Sequence, residues 1–255
     1  NPINLLIIGP LPPPIGGSPL TLQVILEELK KYSNIIPTVI NTSPSTKVNK
    51  KMTGFNLEKV KRLFSILYKF MLVVRKNDVI LVFANDLFAF ILVPLLVLGA
   101  RIYKKKIYLK PVGSNLDQFM EKNGEIVKRL MLFVFKSTNG LFTQTKLLTE
   151  WFQKHGCKNA YYLPGLRPYQ SFHRKEKDPS DQLRIVFLAH ITLLKGPLVL
   201  LDALRILEER NCLNIECDFY GPIHDDVEKQ FRQKLNNSKS ANYKGLVDPG
   251  MGSEI

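Results

Sequence analysis

The chain has 255 residues, 45% of them hydrophobic and 23% charged. That composition excludes a disordered chain and leaves room for one large domain or two of ordinary size. The formal net charge is +14, and the excess is uneven: residues 1–170 hold 24 Lys/Arg against 9 Asp/Glu, whereas residues 171–255 hold 12 against 13. Three cysteines, Cys157, Cys212 and Cys217, have neither CxxC spacing nor a histidine cluster beside them, which excludes a disulfide scaffold and speaks against a zinc site.

In chain order, strand-like and helix-like segments alternate. The apolar run at 3–8 ends at Gly9 and predicts a buried strand. Leu20, Val24, Ile25 and Leu29 recur at helical spacing, which predicts a helix over 19–32 with Ser18 as its N-cap and Pro19 as its first residue. A strand over 35–40, a polar basic loop over 41–56 and a long helix over 57–76 come next. A strand over 79–84, a helix over 87–98 and a strand over 106–110 follow. A helix is read over 126–136, a strand over 140–143, a helix over 145–155 stopped by Gly156, and a short strand over 160–163. Residues 171–182 are polar throughout and read as a linker. The alternation then restarts: strand 184–188, helix 197–210, strand 214–220, helix 225–236 and a strand beginning at 241.

Strands spaced by helices predict parallel sheets, and the restart predicts two α/β domains, over 1–170 and 183–255. The second reads as partial, with further strand–helix units expected after Ile255. The longest apolar run, 87–100, has 14 residues and contains Pro94. Crossing a bilayer takes about 20 residues, so the run reads as a buried or interfacial helix. No basic lead-in or leader peptide is read at the start of the chain. Asn41-Thr-Ser and Asn236-Asn-Ser match glycosylation sequons and are read as chance.

Loops after the predicted strands carry the candidate chemistry. Gly16 and Gly17 precede the first helix, where missing side chains would open a helix N-terminus to a phosphate or carboxylate. A plain tight turn is the competing reading. The spacing matches neither GxGxxG nor GxxxxGK[ST], which disfavours a nicotinamide dinucleotide. His190, Lys195 and Gly196 lie between strand 184–188 and the helix that opens with Pro197. A lysine there would add a full charge to the helix N-terminal field, a natural clamp for a diphosphate. A solvated lysine and a satisfied imidazole are the competing readings.

Gly221, after strand 214–220, would let a ligand approach backbone. Asp225 and Asp226 read as N-cap and first-turn acids of the next helix rather than metal ligands. Asn85 and Asp86, with Gly113 and Ser114, close two strands of the first domain and could bind an acceptor hydroxyl, Asp86 removing its proton; simple loop polarity competes. In the helix over 57–76, Leu63, Phe64, Leu67, Phe70 and Met71 group at helical spacing, flanked by Lys59, Lys61, Arg62 and Lys69. This is the pattern of a helix on anionic lipid, or of a core helix with a solvated basic face. The basic residues are scattered among apolar helices rather than interleaved with exposed aromatics, which argues against nucleic acid.

The Pro-rich Gly16-Gly17 turn, the stretch Tyr162-Leu-Pro-Gly-Leu-Arg-Pro168, residues 187–203 with Lys195-Gly196, and Tyr220-Gly221-Pro222 together resemble a family 4 retaining glycosyltransferase of the two-Rossmann, GT-B type. The resemblance covers nearly the whole chain. It implies two Rossmann-like domains facing a cleft, the first holding the acceptor and the second the nucleotide-sugar donor. It implies sugar transfer, with retention and without metal or other cofactor, to a saccharide or lipid-linked acceptor. The setting it implies is cytoplasmic and peripheral on the inner membrane face, the basic first domain meeting anionic lipid.

By position, Lys195 and His190 would serve the leaving diphosphate, with Gly16, Gly17, Gly196 and Gly221 lining the donor and Asn85, Asp86, Gly113 and Ser114 the acceptor. The chain departs from the family at His190, where an Arg is usual, at Gly165-Leu-Arg167, where Asn-Gly is usual, and at Gly113 and Ser114, where a His is frequent. The family's paired glutamates would follow Ile255. A nucleotide-sugar epimerase of the same fold and a non-catalytic module for anionic lipid or another polyanion are the rival readings.

Overall fold

The computed structural model describes residues 2–13, 16–43, 57–84, 86–112, 116–166, 182–210 and 214–247. They belong to two compact units, Asn1–Gln170 and Ser171–Ile255.

In the first unit six strands form one parallel sheet: β1 (Ile3–Gly9), β2 (Ile35–Asn41), β3 (Val79–Ala84), β4 (Lys106–Pro111), β5 (Gly140–Thr143) and β6 (Ala160–Tyr162), in the order β2-β1-β3-β4-β5-β6. Six helices connect them: α1 (Gly17–Leu29), α2 (Leu57–Val73), α3 (Asp86–Ile102), α4 (Leu116–Lys122), α5 (Glu125–Lys136) and α6 (Lys146–Lys154). The central strands are apolar without alternation because both sheet faces are covered; Leu6, Ile7 and Ile8 are all fully buried. The chain steps one way from β1 to β2, then returns across β1 to β3 and continues outward. Right-handed crossovers therefore put α1 on one face and the later helices on the other.

The two cores follow this division. Ile7, Leu22 and Phe83 pack under α1. Leu6, Ile8, Phe70, Val93 and Phe135 belong to the larger core on the opposite face. There α2 meets α3 so closely that a Cβ on Gly99 would lie 2.6 Å from the Phe70 ring. The reversal between β1 and β3 is a topological switch point, where the carboxyl ends of parallel strands leave a crevice.

The second unit is a parallel sheet β7-β8-β9, of β7 (Leu183–Leu188), β8 (Ile215–Tyr220) and β9 (Ala241–Gly245), with α7 (Pro197–Glu209) and α8 (Glu228–Asn236). Phe219 of β8 packs edge-on against Phe231 of α8 at 5.2 Å, with Leu201 and Leu204 of α7 in the same core.

Two helix starts and one whole helix differ from expectation. α1 starts at Gly17, with Gly16 rather than Ser18 as N-cap, because the Leu20 N–H donates to the Gly16 carbonyl at 3.1 Å and closes the first turn two residues early. Pro19 is thus the third helical residue, where its missing N–H would have had no partner anyway. α8 starts at Glu228 rather than 225, because the His224 carbonyl accepts from both Val227 and Glu228 N–H groups in a preceding turn. Asp225 and Asp226 therefore precede the helix instead of opening it. Finally, α4 was not foreseen.

A carboxylate staples α7 to the turn before β9. Glu208 Oε1 accepts from Ser238 Oγ at 2.7 Å, from the N–H groups of Lys239 and Ser240 at 2.9 Å each, and from Ser240 Oγ. Burial pushes the carboxyl up, but these four donors outweigh it and hold the pKa at about 2. Such a group stabilises the fold above the carboxylate's ordinary range and loses that contribution as pH falls from about 4.5 toward 2. Glu208→Gln keeps the oxygen and removes the charge. Allowing for solvent screening, it is expected to cost about 1–2 kcal/mol at pH 7 in denaturant melts, with the gap from the parent shrinking below pH 4.5.

Candidate functional site

In the first unit, the carboxyl ends of β1, β3 and β4 carry the candidate loops. Gly9 ends β1, and a Cβ there would meet Phe83 Cβ at 2.9 Å and Leu22 Cδ2 at 3.0 Å, so its bareness serves the junction of β1, β3 and α1. Asn41 at the end of β2 then ties down the Pro-rich loop. Its Oδ1 accepts from the Leu11 N–H at 3.0 Å and the Ser43 N–H at 2.8 Å, while the Thr42 N–H donates to the Gly9 carbonyl at 2.9 Å. Asn41, whose sequon reads as chance, thus positions the loop before α1.

Gly16 has extended backbone (φ −172°), and a Cβ on it would touch only Pro19 Cδ at 3.7 Å. The local fold does not demand a glycine here. No side chain caps α1, so its first-turn N–H groups, those of Gly17 and Ser18, face outward without a side-chain acceptor. Asp86 is the first residue of α3, at the carboxyl end of β3. Asn85, Gly113, Ser114 and the Asp86 side chain lie outside the described residues.

Lys110, which the sequence showed only as a strand end, is 1% exposed near the carboxyl end of β4. Its Nζ donates to the Leu163 carbonyl at 2.8 Å, and the Leu163 N–H donates to Thr143 at 2.8 Å. The ammonium thereby ties β4 to the segment after β6. Burial lowers its pKa to about 8.

In the second unit, the exits of β7 and β8 are zipped together beyond the strands. The Ala189 N–H donates to Tyr220 at 3.1 Å, the Ile191 N–H to Pro222 at 2.9 Å, and the His224 N–H to Ile191 at 3.0 Å. Gly221 permits this. Its φ is +129°, and a Cβ would lie 1.9 Å from the Ala189 carbonyl oxygen. The close approach expected of a ligand is made here by the neighbouring loop. Tyr243 Oη donates to the Gly221 carbonyl at 2.9 Å, and the Gly221 N–H to the Gly245 carbonyl at 2.8 Å, which anchors the loop to β9.

The zip sets His190 Nδ1 3.2 Å from His224 Nε2. Burial first, then the neighbouring His224 and Lys195, lower the His190 pKa. The shift favours the neutral imidazole, a hydrogen-bonding group, beside the formal charge of Lys195. Lys195 ends a 3-10 turn, its N–H bonded to the Thr192 carbonyl at 3.0 Å. Gly196 then takes the left-handed conformation (φ +75°) and caps α7, which starts at Pro197 without a side-chain cap. Lys195 is exposed, and among the described residues no carboxylate is salt-bridged to it. The second unit therefore brings together Lys195, Gly196, His190, Gly221 and the unforeseen His224 at one end of its sheet. His224 was visible in the sequence as the histidine after Gly221-Pro222; its pairing depends on the bridge between Ile191 and Ile223.

No protein-family model and no curated protein sequence matches the chain. Solved structures match it in fold. The UDP-GlcNAc 2-epimerase of Methanocaldococcus jannaschii does so with a TM-score of 0.55 at 16% identity, over 96% of this chain and 74% of that one. The UDP-GlcNAc 2-epimerase of Neisseria meningitidis, bound to UDP-GlcNAc, gives 0.51 at 13% identity, over 96% and 72%. TarM gives 0.50 at 9% identity, over 74% of this chain and 37% of that one. The chain has part of a GT-B-type fold. Its six-stranded and three-stranded parallel sheets correspond to the two Rossmann-like domains of that fold. At these identities the likeness is one of fold, and the chemistry has to be argued from the residues.

Proposed function

We propose that this chain acts on a nucleotide sugar, transferring the sugar with retention to a saccharide or lipid-linked acceptor. The observation that carries the reading is the exposed Lys195 beside the uncapped N-terminus of α7, held there by left-handed Gly196. Breaking a glycosyl phosphate bond leaves negative charge on a nucleoside diphosphate while the sugar becomes oxocarbenium-like. Fixed positive charge and backbone N–H groups stabilise that leaving group at little reorganisation cost. Lys195 supplies the charge. The Leu198 and Val199 N–H groups supply the dipole end, Pro197 having none. His190, braced by His224, adds a directional hydrogen bond.

In the first unit, the N-terminus of α1 behind Gly16 and Gly17 offers a second set of N–H donors to an anion. Asn85, Asp86, Gly113 and Ser114 are proposed for the acceptor side. Retention and independence from metal rest on the family resemblance. That solved UDP-GlcNAc 2-epimerases match 96% of the chain, one of them with UDP-GlcNAc bound, supports a nucleotide-sugar substrate.

The same matches favour epimerisation as a second reading, because TarM covers only 74%. Product analysis separates the two. Incubation with UDP-GlcNAc and a saccharide or lipid-linked acceptor is expected to release UDP only when acceptor is present, with a new glycoside formed. An isomerised sugar without acceptor would establish epimerisation instead. Tight UDP-GlcNAc binding without either product would leave a binding module.

A further inference from the structure

Two of the chain's four histidines meet at one end of the second sheet, one from each of the zipped loops. Between His190 Nδ1 and His224 Nε2, 3.2 Å apart, there is room for one hydrogen and not for two. A neutral imidazole carries its hydrogen on one nitrogen only, so the pair has two arrangements. In the first, His224 donates and His190 keeps its own hydrogen on Nε2. In the second, His190 donates through Nδ1 and its Nε2 is a bare acceptor. Nδ1 being engaged by His224, Nε2 is the nitrogen of His190 left to serve a ligand. Only the first arrangement offers an anion a donor there; the second sets a lone pair against it.

We propose that His224 is a positioning residue: it holds His190 with an Nε2–H donor for the diphosphate, and the two rings take up one shared proton when that anion binds. The inference rests on the nucleotide-sugar reading of this site. With one added proton, a single hydrogen still lies between the rings, and both outward nitrogens become donors. A second added proton would set two N–H groups against each other, so the pair titrates as a unit and takes one.

The surroundings favour uptake on binding. Burial, His224 and Lys195 lower the His190 pKa, so the free pair has room for the proton. The charged or titratable groups acting on His190 are Lys195 of its own loop and His224 of the loop after β8; Asp225 and Asp226 follow His224 in the chain and do not counter them. The first turn of α7 contains no acid. From β9, the Tyr243 hydroxyl is committed to the Gly221 carbonyl, and Lys244 lies 3.5 Å from Asp218. An arriving diphosphate offsets the charge of Lys195 and favours the imidazolium form. Binding therefore raises the pair's pKa, and affinity rises as pH falls through neutrality. A terminal phosphate, with its last pKa at about 6, is already ionised above pH 7, so the proton goes onto the protein.

The test joins nitrogen NMR of the histidine rings in the ligand-free chain to calorimetric titration with UDP in two buffers of different ionisation heat. Without ligand, His190 is expected in its Nε2–H form, and the two rings are expected to titrate together in one step, the second proton being held off to far lower pH. UDP is expected to draw in a large part of one proton at about pH 7.5, and its affinity to rise about three- to ten-fold between pH 8 and pH 6.5. His190→Gln is expected to remove most of that uptake. His224→Ala is expected to release the His190 tautomer and to lower UDP affinity about three-fold or more, and His224→Gln, whose amide still donates to Nδ1, to restore the Nε2–H form and part of the affinity. Independent titration of the two rings, or UDP binding with the same proton uptake in the parent and in His190→Gln, would overturn the inference and leave the nucleotide-sugar reading standing. Absence of UDP binding would remove that reading and the inference with it.

Discussion

Gly221→Ala is expected to unfold the functional end of the second unit. The added methyl would sit 1.9 Å from the Ala189 carbonyl oxygen, and the backbone at φ +129° is one that side chains rarely adopt. A backbone oxygen cannot swing aside as a flexible side chain can. The loops after β7 and β8 would have to separate, breaking the bond from the Ile191 N–H to Pro222 and the contact between His190 and His224. Strain and lost bonds together are expected to cost about 3 kcal/mol or more in denaturant melts. Gly196→Ala is the control. Its φ of +75° is left-handed too, but nothing lies within 4 Å of the added Cβ. Only the conformational penalty remains, about 1–2 kcal/mol. Equal losses for both would contradict the packing described for Gly221.

Lys195→Ala is expected to leave the fold intact and to lower affinity for a nucleoside diphosphate about 10- to 100-fold. The side chain is exposed and forms no salt bridge among the described residues, so stability has little to lose. A charge-assisted bond to phosphate, with the uncapped α7 N-terminus behind it, has much to lose. Burial, His224 and Lys195 lower the His190 pKa and disfavour a second cation there. The loss is therefore expected to persist across neutral pH.

Most of the architecture was legible because buried parallel strands leave a plain record. Runs such as Leu5-Leu6-Ile7-Ile8 and Val79-Ile80-Leu81-Val82 need no alternation when both faces are covered, and Gly or polar residues mark their ends. α4 left no such record: seven residues are too few for helical periodicity to show. The starts of α1 and α8 differ from expectation because local backbone bonds to the Gly16 and His224 carbonyls, rather than the capping side chains that the sequence offers, set their first turns.

For the candidate site the sequence shows positions but not contacts. Lys195 and Gly196 stood out because a lysine and a glycine before an N-terminal proline suggest a helix start. Gly221 also stood out, but its bareness serves Ala189, 32 residues earlier, and only the pairing of the two loops shows that. Asn41, Lys110 and His224 act through partners distant in sequence, Leu11, Leu163 and His190, and single-sequence spacing carries no trace of such contacts.

Calorimetric titration of the chain with UDP, beside the Lys195→Ala variant, tests the nucleotide-sugar reading most directly. The account predicts saturable binding to one site, competed by UDP-GlcNAc and weakened about ten-fold or more by the substitution. Absence of binding, or the same affinity in both proteins, would contradict it.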